Sequence, residues 1–280
     1  MWVLPAQSLD EIDQNLDRAL TLVSGVPVHQ LTPAERAAIH AVYQVYEQTL
    51  GQPHPALQPA CLAPIRLRLH DAYDQVQVGG RLAGYRSLLL ATANHCPYCG
   101  FGEVKDLDHY LPRSLYGELA IYPNNLIPSC NPCNNAKRTV VPGTAASPGL
   151  IHAYFQNLPD VDFLVADVSL PGGGLDVSYR IDPALIDPVL ATKLQYQLDR
   201  LKLNERYVKQ INKFVNEQRA AILMFDGLGP GILAAYLEKN AQSLAASFHR
   251  NDWRAALFRA LATDPVFCDD PHAYLGDKAA

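Results

Sequence analysis

Apolar residues recur at helical spacing from Leu9 to Val23 (Leu9, Ile12, Leu16, Leu20, Leu22), with Ser8 placed to cap the first turn, so the chain opens on an amphipathic helix. Thr32-Pro33-Ala34-Glu35 has the form of a capping box with proline at the first helical position, and predicts a helix to about Leu50, where Gly51 stops it. Pro53, Pro55, Pro59 and Pro64 crowd into residues 52–64, which read as an extended linker and a boundary. Helices are expected over 66–78 and 81–93, parted by Gly79-Gly80. From 94 to 138 the helical period is lost among Cys, Pro, Asn and Gly. Val161–Leu170 and Leu175–Ile181 alternate apolar and polar residues around Pro171-Gly172-Gly173-Gly174, the pattern of a β-hairpin. From Pro188 the helical period returns, near 188–203, 205–223, 229–247 and 250–262. The expected class is α+β, mostly α-helical, in three parts: a helical N-terminal region with its linker (1–60), helices leading into the irregular segment (61–150), and the hairpin with C-terminal helices (151–280).

At 280 residues and 49% apolar content the chain can build its own core. Its longest apolar runs, such as Ser87–Ala93 and Gly231–Tyr236, fall far short of the ~20 residues that cross a bilayer. Met1–Pro5 lacks a basic flank and is followed by Asp10, Glu11 and Asp13, unlike a secretory signal, so a cytoplasmic location is expected. The net charge of −5 is not that of a dedicated nucleic-acid binder, but it is unevenly spread. Residues 1–60 hold two basic and six acidic residues, whereas 200–260 hold ten basic and five acidic. The commoner explanation of the second run is a solvated helix face.

Six cysteines in a reducing compartment read as metal ligands or buried thiols. Cys61 and Cys268 stand alone and are expected in the core. Cys96-Pro97-Tyr98-Cys99 and Cys130-Asn131-Pro132-Cys133 form two knuckles, each able to present two thiolates to one tetrahedral Zn²⁺. Such a closed site leaves no open coordination position, so its expected role is structural.

Between the knuckles lie Leu107-Asp108-His109-Tyr110-Leu111-Pro112-Arg113-Ser114 and Tyr122-Pro123-Asn124-Asn125-Leu126, and Asn134-Asn135-Ala136-Lys137 follow the last cysteine. This order, CxxC, DH then P, NL, CxxCNxxK, resembles the four-cysteine zinc-knuckle branch of the HNH, or ββα-metal, nuclease superfamily. The likeness covers Cys96 to Lys137 and implies a treble-clef-like ββα core at 94–140. It further implies a metal-dependent endonuclease acting on DNA, with RNA as a possible substrate. By the same resemblance His109 is the general base and Asp108 a metal-binding carboxylate. Asn125 holds the hairpin loop and orients the histidine, and Asn134 completes the binding of one catalytic Mg²⁺ or Mn²⁺. Arg113, Lys137 and Arg138 are candidates for nucleic-acid contact. A bare Asp-His pair would carry little weight without this frame.

The competing interpretation is a non-catalytic four-cysteine module that binds nucleic acid or protein, which would have no need of the Asp, the His and the two Asn residues. Tyr110 and His152 are more readily structural. Within the enzyme interpretation a stand-alone restriction-like or repair nuclease competes with the nuclease effector of a prokaryotic anti-phage defence system controlled by a partner such as an ATPase, and the acidic N-terminal region leans towards the second. A single-site nuclease must also act twice, or as a homo-oligomer, to cut both strands.

Overall fold

The protein is described by a computed structural model that covers residues 2–143, 147–169 and 175–275. The chain forms two compact units, one of residues 3–157 and one of residues 158–275 with Trp2. The class is α+β and mostly helical, with two small antiparallel sheets among the described residues. No helix among them is long and apolar enough to cross a membrane.

In the first unit, α1 (Ile12–Ala19) is shorter than its apolar period suggested. Ser8 caps a turn ahead of it, its Oγ accepting from Asp10 N at 3.2 Å. The capping box forms as expected at the head of α2 (Pro33–Gln48): Thr32 Oγ1 accepts from Glu35 N at 3.2 Å, and Thr32 N donates back to the Glu35 carboxylate at 2.8 Å. Residues 52–64 do not form an extended linker. They fold into two 3₁₀ turns, Pro55–Leu57 and Ala60–Leu62, because Leu57 and Leu62 find buried places that straight chain could not supply. Leu62 takes the inward position of the second turn and leaves Cys61 exposed, against its expected burial. Next come α3 (Arg66–Asp71), a 3₁₀ turn over Ala72–Val76, and α4 (Ala83–Ala91).

The irregular segment holds β1 (Asp106–His109) and β2 (Leu126–Ser129), antiparallel with Asp108 opposite Ile127 and His109 opposite Leu126. The short helix α5 (Asn131–Lys137) follows at once. Its second position is Pro132, whose missing N–H would be unpaired in a first turn anyway.

The second unit contains the expected hairpin, β3 (Leu164–Ser169) against β4 (Asp176–Ile181); its turn, Pro171–Gly174, lies outside the described residues. On β4 the alternation is clean, with Val177, Tyr179 and Ile181 buried and their neighbours exposed. The helices α6 (Pro188–Arg200), α7 (Leu203–Leu223), α8 (Pro230–Ser247) and α9 (Trp253–Thr263) follow. Tyr179, Tyr207, Trp253, Phe214 and Phe258 form a run of ring contacts through this unit's core. Cys268 is buried here, as expected.

Candidate active site and metal centre

The four thiols of Cys96, Cys99, Cys130 and Cys133 are buried, and their sulfurs all lie within 4.8 Å of one another. Local geometry builds each half of the cluster. Gly100 N bonds back to Cys96 O at 2.8 Å with Gly100 at φ +83°, and Gly102 N donates to Cys99 Sγ at 3.3 Å. Gly102 has no room for a side chain: a Cβ there would stand 2.6 Å from Cys130 Sγ. Side-chain hydrogen bonds from Cys133, Cys96 and Cys99 hold the Cys130 thiol well below the ordinary thiol range. Four soft sulfur donors, converging and shut from solvent, fit a structural Zn²⁺.

The knuckle ties directly into the hairpin. Tyr98, inside the first CxxC and fully buried, donates its hydroxyl to Asp108 Oδ2 at 2.9 Å. Strand alternation points Asp106 and Asp108 to the same side of β1, towards α5, whose residues three apart also share a face. Two cross-links result: the amides of Asn131 and Asn134 donate to Asp106 Oδ2 at 3.1 and 3.3 Å, and Lys137 Nζ lies 3.1 Å from Asp108. Lys137 Nζ also donates to His109 O at 2.6 Å. Burial raises the Asp108 pKa above its ordinary value, opposed by the Lys137 charge and by the bonds from Lys137 and Tyr98. The expectation that Lys137 meets a nucleic-acid backbone is therefore corrected. Its side chain is 2% exposed and its ammonium is occupied inside the fold, because the face of α5 that packs on β1 carries it inward.

His109 leaves the opposite side of β1. Its Nε2 lies 2.8 Å from the carbonyl of Ala120, which can only accept, so Nε2 carries the proton and Nδ1 of the neutral ring keeps a lone pair. The ring stands edge-on to Tyr73 with centroids 4.4 Å apart. Desolvation, with the positive charges of Arg113 and Lys137, outweighs the Ala120 bond and pushes the His109 pKa from 6.5 to about 3. Arg113 sits over the Tyr73 ring, 4.9 Å from its centroid, and is about one-third exposed while bonding His70 O and Asp74. Arg138 ends α5 with a positive φ of 53° and its side chain exposed.

Asn125 is fully buried and its amide saturated. Its Oδ1 accepts from Leu111 N at 2.8 Å and from Tyr46 Oη at 2.9 Å, and Nδ2 donates to Leu111 O and Leu119 O at 3.1 and 3.2 Å. It thus ties the residue after Tyr110 to the residue before Ala120. Tyr110 is core, its hydroxyl on Leu150 O at 3.0 Å. His152 is buried beside Tyr46.

The structure therefore places His109 on the Ala120 carbonyl and Asn125 on the neighbouring Leu119 carbonyl, and Asp108 and Asn134 along one β1–α5 face, though on different partners. Tyr73, Tyr98 and Asp106 escaped the sequence. Asp106 alone carried a signal, its two-residue spacing from Asp108 on a strand.

Residues 96–139 match the family model described as HNH endonuclease. The chain is also similar to Protein ea31 of Escherichia phage lambda, at 37% identity over 71 residues, 25% of this chain and 24% of that protein. It thus spans about a quarter of the length of that curated relative. No solved structure matches the chain.

Proposed function

We propose, from an HNH endonuclease domain at residues 96–139, that this protein hydrolyses phosphodiester bonds of DNA with His109 as general base. The observation that carries the proposal is the bond from His109 Nε2 to Ala120 O, which fixes the tautomer and leaves Nδ1 as the proton acceptor. Nδ1 takes a proton from a water molecule, the water oxygen attacks phosphorus, and the 3′ oxygen leaves and takes a proton from bulk water. The products carry a 5′ phosphate and a 3′ hydroxyl. A pKa near 3 makes His109 a weak base in the free protein, but the negative charge of a bound phosphate raises its basicity where substrate is present.

The carboxylate of Asp108 and the amide oxygen of Asn134 are hard oxygen donors, and in donor chemistry they fit Mg²⁺ or Mn²⁺. Bound there, such an ion supplies charge neutralisation to the phosphate and to the leaving oxygen. Lys137 now satisfies Asp108, and an ion at Asp108 competes with that ammonium. Zinc at the four cysteines has no open position and scaffolds the hairpin. Arg113 and Arg138, both reachable from solvent, are the side chains assigned to phosphate contact.

The net charge of −5 supports a regulated setting, in which a partner delivers or licenses the substrate. We assign that setting to a prokaryotic anti-phage defence system with an ATPase as the partner class.

Supercoiled plasmid tests the activity. Zinc-loaded protein with Mg²⁺ or Mn²⁺ is expected to yield nicked or linear DNA, and His109→Ala or EDTA to abolish both. A folded, zinc-loaded wild type that cuts no more than His109→Ala under either metal would support the alternative, a non-catalytic zinc module.

A further inference from the structure

A line of buried polar groups runs through the first unit: His152, Tyr46 and Asn125, none more than 3% exposed. Each hydrogen bond in it has a forced direction. The backbone N–H groups of Tyr154 and Phe155 point at His152 Nδ1 from 3.2 and 3.3 Å, so that nitrogen accepts and the ring proton sits on Nε2. Nε2 lies 2.9 Å from Tyr46 Oη and donates to it. The phenol's own proton then goes to Asn125 Oδ1, 2.9 Å away, the nearer of two acceptors, with Asn124 O at 3.5 Å. Leu111 N also donates to Oδ1, which identifies that end of the amide as oxygen and leaves Nδ2 to hold Leu111 O and Leu119 O. The residue after Leu119 is Ala120, whose carbonyl takes the His109 Nε2 proton.

We infer that Tyr46 and His152 are positioning residues of the hydrolytic site: they hold Asn125 in place, and through its bond to Leu119 O the adjoining Ala120 carbonyl that keeps His109 in the Nε2–H form. The inference rests on the reading of His109 as the base. Packing alone does not require these side chains. Phenylalanine would fill the place of Tyr46, and leucine that of His152, but neither could accept from the backbone N–H groups or bond the partner side chain. The fit around His152 is close. Its ring stacks on Phe155 at 4.5 Å, and a Cβ on Gly51 would stand 2.4 Å from His152 Cδ2. Tyr46 is α2's contribution and His152 comes from the segment after α5, so the network joins three distant stretches of chain at the Tyr46 hydroxyl and the Asn125 amide.

The test compares Tyr46→Phe, His152→Leu, His152→Gln and the double variant Tyr46→Phe/His152→Leu in the full chain, with zinc content checked. Plasmid cleavage is read as kcat and KM, and the His109 tautomer by ¹⁵N-edited NMR of the imidazoles. Tyr46→Phe and His152→Leu are expected to lower kcat about tenfold or more with KM within about twofold, as for other residues that orient a reacting group. Both are expected to shift His109 from a single Nε2–H signal towards a tautomer mixture. His152→Gln, whose amide can still donate to Tyr46, should recover most of kcat. In the double variant, as in His152→Leu, the Tyr154 and Phe155 N–H groups lose the acceptor that His152 Nδ1 supplied, so thermal stability stays low together with kcat. If kcat falls no further than the folded fraction does, or if the His109 signals are the same in all variants, the inference is wrong. A wild type that cuts nothing refutes the nuclease reading instead, and the NMR comparison still decides whether Tyr46 and His152 hold His109.

Discussion

The Lys137 ammonium lies 3.1 Å from the Asp108 carboxylate, with the two side chains 2% and 3% exposed, so helix α5 and strand β1 are joined by a charge pair shut from water. Removing one partner of such a pair costs far more than removing both, because the survivor is left charged in a low-dielectric interior. The other hydrogen bond of that ammonium, to His109 O at 2.6 Å, places the pair directly against the backbone of the histidine proposed as base.

Lys137→Met is therefore expected to destabilise the protein by about 3–5 kcal/mol in urea denaturation, and Lys137→Met/Asp108→Asn to recover most of that loss. A single variant that costs less than about 1 kcal/mol would mean that Asp108 is already neutral in the fold.

The low pKa of His109 makes a pH prediction. In the free protein the ring stays neutral down to about pH 3, so kcat/KM should show no acid limb near 6.5, the ordinary histidine value. The same shift acts on stability. Below 6.5 the unfolded chain takes up a proton that the folded chain refuses until about 3, so this contribution is intact above 6.5 and is lost as pH falls through that window. Unfolding followed from pH 7 to pH 4 should show a shallower loss in His109→Gln than in the wild type. Equal slopes, or a kcat/KM limb at 6.5, would place the ring in water.

Gly102→Ala drives a methyl group into Cys130, 2.6 Å from its sulfur. Overpacking there is expected to cost about 1–3 kcal/mol and to weaken zinc retention against a competing chelator. One zinc per chain held as tightly as in the wild type, with an unchanged melting temperature, would refute the thiol cluster as the metal site.

Much of this arrangement was written locally in the sequence. Two CxxC pairs declare a tetrahedral thiolate site because each pair needs only its own turn to converge. The capping box at Thr32 and the alternation of β4 are likewise short-range, since a helix relates residues three and four apart and a strand those two apart. The Asp-His dyad at the end of β1 belongs to the same class of signal. What tertiary structure decided is what lies across those elements. Asp108 meets Lys137 from 29 residues away, Asn125 meets Tyr46 from 79, and Tyr46 meets His152 from 106. No period in the chain encodes such pairs, which depend on how helices and turns pack, so an exposed-looking lysine proved to be buried and Cys61 proved to be exposed. The sequence by itself determined which chemical groups the site contains. Packing decided which of them are buried in bonds to one another and which stay at the surface, because burial and hydrogen-bond direction are properties of the assembled fold.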